Sequence, residues 1–375
     1  MALVNIKKFF KSKFPKLSNK LILLRDSNFI SRSIKNFILI DLKKKIYGKK
    51  IVSKEKGFLL DFTFNNFVSH TIRPKEAKNI IFDSQTYDNS DSAIIIQGSL
   101  NGVANFTTET IEMYLKLFKN TKLILSIWDN EINESLINQY SDRIHILINK
   151  KPNNLEHNVD LQIISTNRAL HFAKELNIKY CLKTRTDTRI YNGASISYLK
   201  NLIRLFPISK KYEEMKTRII SCSMETRKFR VYCLSDIMLF GETDNLLRYF
   251  NLLTFKDSLN KYFSKHPCLI KDTAVINEIF LCARYLKLLN IEIDWTLENW
   301  WKICSEIFCI VDHSTIDFFW FKYHWKYEQR LTKNFTTDSN EILNFSDWLE
   351  IYSDKNFLFD LKKKETWKIQ DGNFV

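Results

Sequence analysis

The sequence predicts an α/β fold: a parallel, doubly wound sheet with helices laid between its strands. Three observations point to it. From Ala93 onward, short apolar runs of strand length alternate with longer amphipathic stretches, the pattern of strand-helix-strand units around a buried sheet. Hydrophobic residues make up 45% and charged residues 26% of the 375 residues, which suits a chain that buries a sizeable core. Only 7 Gly and 5 Pro interrupt this length, so regular elements meet few breakers.

In chain order, the predicted strands of the first half are Ala93 to Gln97, Lys122 to Trp128, Arg143 to Ile148 and Lys179 to Thr184. Between them, Thr107 to Phe118 reads as a helix that opens on hydroxyl and carboxylate residues. Asp160 to Leu176 reads as another, with apolar residues at helical spacing. Beyond Arg189 follow a helix over Ser195 to Leu205, strands over Arg218 to Ser223 and Asp236 to Phe240, and a helix over Asp272 to Leu289. The stretch from Trp295 to Trp325 is dense in Trp and Phe and reads either as core or as a platform for apolar sugar faces. The layout gives a basic N-terminal segment over 1–90, an α/β catalytic domain over 91–290, and an aromatic-rich extension over 291–375 packed on that domain.

The net charge of +15 is unevenly placed. Residues 1–56 hold sixteen Lys or Arg against three Asp or Glu, so this segment carries +13 and the body is nearly neutral. With no recognisable nucleic-acid motif in that neutral body, a nucleic-acid partner is not expected. Phe and Leu interleave with the lysines, which fits either a solvated lysine-rich face or a segment lying on an anionic membrane, where each Lys adds roughly 1 kcal/mol. No apolar run reaches the roughly 18 residues of a membrane span, and no signal-peptide pattern is present. Seven cysteines without a C-x-x-C spacing disfavour a zinc site and a disulfide framework. The expected location is the cytoplasm, peripheral at the inner membrane.

In such a sheet ligands collect outside the carboxyl ends of the strands. The candidate residues therefore stand just past each apolar run. The sharpest group is Lys183, Arg185, Asp187 and Arg189, where a diphosphate would meet cationic side chains or a cation held on Asp187. The plainer reading is a charged turn with Asp187 paired to a neighbouring Arg. Gln97 and Gly98 close the first strand, either for a nucleotide to approach the backbone or as a simple turn. Trp128 and Asp129 offer a stacking face and an acceptor for a base, or a core residue and a turn. Asp236 can hold a sugar hydroxyl or a metal ion, or cap a local turn.

Several pieces in one order carry a family resemblance: Ile94-Ile95-Ile96-Gln97-Gly98, Leu125-Ser126-Ile127-Trp128, Gln162-Ile163-Ile164-Ser165-Thr166, Leu182-Lys183-Thr184-Arg185-Thr186-Asp187, and Ser235-Asp236-Ile237-Met238-Leu239-Phe240-Gly241. The chain resembles the WavE-type lipopolysaccharide and capsule synthesis proteins, which look like GT-A glycosyltransferases. The resemblance implies sugar transfer from a nucleotide-sugar donor to a saccharide acceptor, lipid-linked and growing into a bacterial surface polysaccharide. It implies Gln162 as a substrate contact and Asp187 as the ligand of a divalent metal, Mn or Mg, although Thr186 and Thr188 stand where the usual motif has a second carboxylate. It also implies Asp272, at the start of a helix, as the base that takes the acceptor proton; an acid there is equally a helix cap. A sugar-phosphate or phosphoryl transferase would use the same crevice.

Overall fold

The structure, a computed structural model, describes residues 58–61, 66–69, 72–81, 87–131, 134–152, 158–263, 270–271, 274–323, 342–354, 356–359, 369–370 and 373–374. The chain divides into two units, Met1–Arg73 with Tyr323–Asn334, and Pro74–Lys322 with Phe335–Val375. Within the first, β1 (Phe58–Asp61) and β2 (Asn66–Ser69) pair antiparallel. The basic stretch 1–57, with its expected membrane contact, lies outside the described residues.

The second unit is built on a seven-stranded sheet of order β12-β8-β9-β6-β3-β4-β5. Its strands are β3 (Ser92–Gln97), β4 (Lys122–Trp128), β5 (His145–Asn149), β6 (Tyr180–Arg185), β8 (Ile219–Cys222), β9 (Leu239–Glu242) and β12 (Phe308–Val311). Strands β3 to β6 fall within two residues of their predicted bounds. Ala93 to Ile96 are fully buried, as expected of a central strand covered on both faces. The α/β fold with its mostly parallel sheet is thus the one the sequence predicts.

Helices cover both faces. They are α1 (Phe106–Leu117), α2 (Glu134–Tyr140), α3 (Asn158–Glu175), α4 (Ser195–Leu205), α5 (Thr243–Tyr249), α6 (Asn277–Leu288), α7 (Leu297–Ile307) and α8 (Phe345–Ser353). Along β6 the side chains alternate, so Lys183 and Arg185 share one face while Leu182 and Thr184 share the other. Helix α3 lies on the Lys183 face, where its Gln162 reaches the backbone oxygen of Asp236, as Lys183 does.

Two features depart from expectation. Strand β9 runs antiparallel to both β6 and β8, because residues 223–238 return the chain as a buried loop in place of a crossover helix. Asp236 consequently belongs to that loop and not to the strand, which starts at Leu239. Helix α6 begins at Asn277, and the short antiparallel pair β10 (Ile270–Lys271) and β11 (Ala274–Val275) occupies the stretch read as its start. Ile270, Val275 and Ile276 are β-branched and suit strands better than a first helical turn. Asp272 itself lies outside the described residues.

The aromatic stretch is largely core. Trp300 and Trp301 of α7 are buried and donate their indole N–H groups to the backbone oxygens of Arg227 and Lys228. Tyr232 Oη donates to Asn299 Oδ1 at 2.6 Å and accepts from the backbone N–H of Trp295. These bonds hold the 223–238 loop from the C-terminal side. The same part of the chain supplies the edge strand β12, parallel to β8.

Candidate functional site

From β3 the chain steps to β4 and β5 on one side, then returns to β6 on the other. The carboxyl ends of β3 and β6 therefore mark the switch point of the sheet, the place where a doubly wound sheet binds ligands. Gln97 and Arg185 are register partners at that end. Gly98 follows with φ +118°, and a Cβ there would stand 3.3 Å from Thr186 Oγ1. Glycine is thus required by both its backbone angle and the close approach of the neighbouring turn. Thr186 is tied in further, its N–H donating to Gln97 O and its carbonyl accepting from Thr107 Oγ1.

The turn after β6 aims two charged side chains at each other. Thr188 Oγ1 accepts from the Arg185 N–H and donates to the Arg185 carbonyl, which pins the backbone. Asp187 then meets Arg185 in a two-pronged pair, Nε to Oδ1 at 2.9 Å and Nη2 to Oδ2 at 3.2 Å. Trp320 donates its indole N–H to Asp187 Oδ2 at 2.9 Å. It sits on β13 (Phe318–Trp320), which pairs with β7 (Thr188–Ile190). The Arg185 guanidinium also lies 5.6 Å from the Trp320 ring centre. Burial works to raise the Asp187 carboxyl, but the charge and hydrogen bonds of Arg185 and the bond from Trp320 hold it below the usual carboxylate range. The Arg185 side chain keeps 29% of its surface exposed against 16% for Asp187, so the cation faces outward and the carboxylate backs it.

A divalent cation on Asp187 does not fit this donor set. Both carboxylate oxygens are engaged by N–H donors, one pair of them on a guanidinium. Hard cations seek six or more oxygen ligands, and among the described residues no group of three or more His, Cys, Asp or Glu is placed to hold a metal ion.

The other predicted residues divide sharply. Lys183 is fully buried, and its ammonium donates to the backbone oxygen of Asp236 beside the Phe250 ring. Burial pulls its pKa down to about 7, against the opposing pull of Asp236. Lys183 thus anchors the 223–238 loop. Arg189 is 2% exposed and spends its donors on Thr110 Oγ1, Lys75 O and Phe106 O. Its guanidinium lies 4.0 Å from the Phe106 ring centre, sealed from any phosphate. Trp128 is 2% exposed and belongs to the core, with no open face for a base. Asp129 is exposed and accepts from the N–H groups of Asn130 and Lys151. Gln97 and Gln162 point inward, to Ser165 Oγ and Asp236 O.

Asp236 is brought to the crevice with its backbone held by Lys183 and Gln162, and it is only 3% exposed. Glu278, half-buried in the first turn of α6, is near enough to feel the charge of Asp236. Burial and then the Asp236 charge raise the Glu278 carboxyl well above the ordinary range, against the opposing charges of Arg230 and Arg185. Glu278, Arg230 and Trp320 are the site residues that the sequence reading missed. The aromatic density around Trp320 was a visible signal. Glu278 had none once the helix start was placed at Asp272.

The family described as WavE lipopolysaccharide synthesis matches residues 93–366. No curated protein matches the chain. Among solved structures, it is similar to mannose-1-phosphate geranyltransferase from Thermus thermophilus, at 12% identity and a TM-score of 0.27 over 50% of this chain and 66% of that one. It is also similar to a mutant of UDP-glucose pyrophosphorylase from Leishmania major, at 7% identity and a TM-score of 0.24 over 54% of this chain and 47% of that one. The chain spans just under two thirds of the first structure's length and about half of the second's.

Proposed function

The chain belongs to the WavE lipopolysaccharide synthesis family, and from that premise we propose that it transfers a sugar from a nucleotide-sugar to a hydroxyl of a growing lipopolysaccharide or other surface saccharide. The observation that carries this reading is Arg185, a partly open guanidinium at the sheet's switch point, fixed by Asp187 and Trp320. A nucleoside diphosphate gains negative charge as its bond to the sugar breaks. A cation already held in place stabilises that charge without reorganising during the step. In this scheme Arg185 meets the diphosphate, Asp187 and Trp320 orient it, and Lys183 and Gln162 hold the loop that brings Asp236 to the sugar side.

The acceptor is a lipid-linked saccharide, and the basic N-terminal stretch supplies the approach to an anionic membrane surface. No helix among the described residues is long and apolar enough to cross a membrane. The test is a panel of nucleotide-sugars offered with saccharide acceptors, with binding and released nucleotide both measured. Release of a nucleoside diphosphate by the wild type, lost in Arg185→Ala, supports the reading. Release of a nucleoside monophosphate replaces it with sugar-phosphate transfer.

A further inference from the structure

The loop between β8 and β9 does not choose its own path. Residues 223–238 form neither helix nor strand, yet Val231 to Met238 are all buried. Glu225 and Tyr232 hold φ angles of 67° and 52°, left-handed values that such side chains rarely adopt and that persist only where the surroundings impose them. Those surroundings come from the C-terminal part of the chain. Besides the partners of Tyr232 and the two indole donors of α7, the stretch before α8 runs along the loop. Arg227 bridges Ile342 there, and the Leu343 N–H donates to Thr226 O at 2.9 Å.

One ion pair completes this grip. Lys228 Nζ stands 2.8 Å from Asp347 Oδ1, and the two side chains keep only 12% and 14% of their surface exposed. The ammonium also lies 4.8 Å from the Phe359 ring centre. Asp347 divides its oxygens between two tasks. Oδ2 accepts from the Asn344 N–H at 3.1 Å, and with the return bond from the Asp347 N–H to Asn344 Oδ1 it caps α8. Oδ1 is given to Lys228. The cap serves the helix and the ion pair serves the loop. At its far end the same loop delivers Asp236, whose backbone oxygen is taken by Lys183 and Gln162. The loop is thus gripped twice, by β6 and α3 at Asp236 and by α7 and α8 at Lys228.

We propose that Lys228 and Asp347 are positioning residues for the transfer reaction: their pair is the latch by which the C-terminal extension fixes the 223–238 loop and so sets Asp236 against the sugar. The proposal rests on the glycosyl-transfer reading. Arg185 is held by Asp187 and Trp320, which lie outside the loop, so the latch governs the sugar side and leaves the diphosphate side alone.

The experiment compares wild type with Lys228→Met, Asp347→Asn and the double variant by kcat, donor affinity, thermal melting and amide hydrogen exchange. Each single variant strands one partner of a largely buried pair and melts lower, whereas the double variant removes both and regains most of that loss. The amide of Asp347→Asn still offers an oxygen to the Asn344 N–H, so the cap of α8 is kept. The double variant is expected to keep its donor affinity and to lose about 10- to 100-fold in kcat, as a small misplacement near the reacting atoms does. Exchange is expected to quicken at the loop amides of Arg227, Cys233, Leu234 and Ser235, which are hydrogen-bonded within the loop, and not in β3 or β6. Wild-type kcat in the double variant, or donor affinity that falls as far as kcat, overturns the latch. If the double variant melts as low as the single ones, exchange decides: a rise confined to the loop supports the latch, and a rise spread over the sheet overturns it. If the wild type releases no nucleoside diphosphate from any donor, the glycosyl-transfer reading fails by itself. Faster exchange at those loop amides in the double variant then still supports the latch, and unchanged exchange overturns it.

Discussion

Arg185 and Arg189 stand four residues apart on consecutive strands and carry the same charge, yet they do opposite work. The guanidinium of Arg189 ends on two hydroxyls and three backbone carbonyls, and it is sealed against Phe106. That of Arg185 ends on a carboxylate which is itself tied to Trp320, and part of it stays in reach of solvent. Arg218 and Arg284 follow the Arg189 pattern, with their hydrogen bonds directed at backbone carbonyls from Phe206, Ser305 and Phe308, and from Asn251, Leu253 and Tyr249. A buried arginine that caps carbonyls is scaffold. One backed by a carboxylate and left open on another side is placed for an anion.

The contrast breaks most readily at the two arginines. Arg185→Ala is expected to lower transfer by about 100- to 1000-fold, the range for removing one preorganised charge stabiliser, and to lose the stability that its pair with the Asp187 carboxylate contributes. Arg189→Ala is expected to leave the transfer chemistry largely intact while losing about 3 kcal/mol or more, because the buried acceptors Thr110 Oγ1 and Phe106 O are stripped of their donor. Turnover and denaturant unfolding on both variants check this, and an equal loss of transfer in folded Arg189→Ala would erase the distinction.

A smaller effect sharpens the role of Asp187. Asp187→Asn frees Arg185 from its two-pronged partner, and a loss of transfer of about tenfold or more is expected, in line with the roughly 1.5–3 kcal/mol of a hydrogen bond to a charged group. Chelation by EDTA leaves wild-type transfer unchanged if the arginine is the agent, whereas silencing by EDTA with rescue by manganese would assign the charge to a cation. Stability carries a matching signature. A carboxyl held low contributes stability that is complete above its unfolded value of about 3.9 and is lost as pH falls through the folded value. The stability gap between wild type and Asp187→Asn should therefore stay constant from about pH 5 to 8 and close below about pH 4.

A separate signature, in stability and not in transfer, concerns Lys183, whose side-chain amine burial pulls down to about 7. The unfolded chain keeps the ordinary lysine value of about 10.4. Between these values the unfolded state binds the extra proton, so wild-type stability rises with pH over this window. Lys183→Met, with no group to titrate, should show a flatter profile. Parallel profiles would mean that Lys183 stays charged in the fold.

Much of the sheet was legible in the sequence because its central strands are unbroken apolar runs, and such runs have few other places to go. The switch point was legible for the same reason, since the end of β6 marks it. Antiparallel β9 was not, because pairing direction is decided by the buried loop before it and leaves no local pattern. The division of labour between Arg185 and Arg189 was equally hidden. Both follow an apolar strand, and only the fold shows that Phe106 and Lys75 reach one of them and Trp320 the other. The start of α6 was placed five residues early, at Asp272, because an acid there reads as an ordinary helix cap.

Strand β12 has a consequence for how the protein is made. Its partner β8 precedes it by a long intervening stretch, and Phe308 to Val311 dock in parallel beside Ile219 to Cys222. During synthesis the N-terminal part of the unit emerges first, so β8 waits with one row of backbone groups open until the last sheet strand leaves the ribosome. An open apolar edge is a template for pairing with another chain, and distant parallel pairing forms slowly. The nascent chain therefore passes through a window in which it is exposed to chaperones and to its own neighbours, and that window closes only when β12 takes its place.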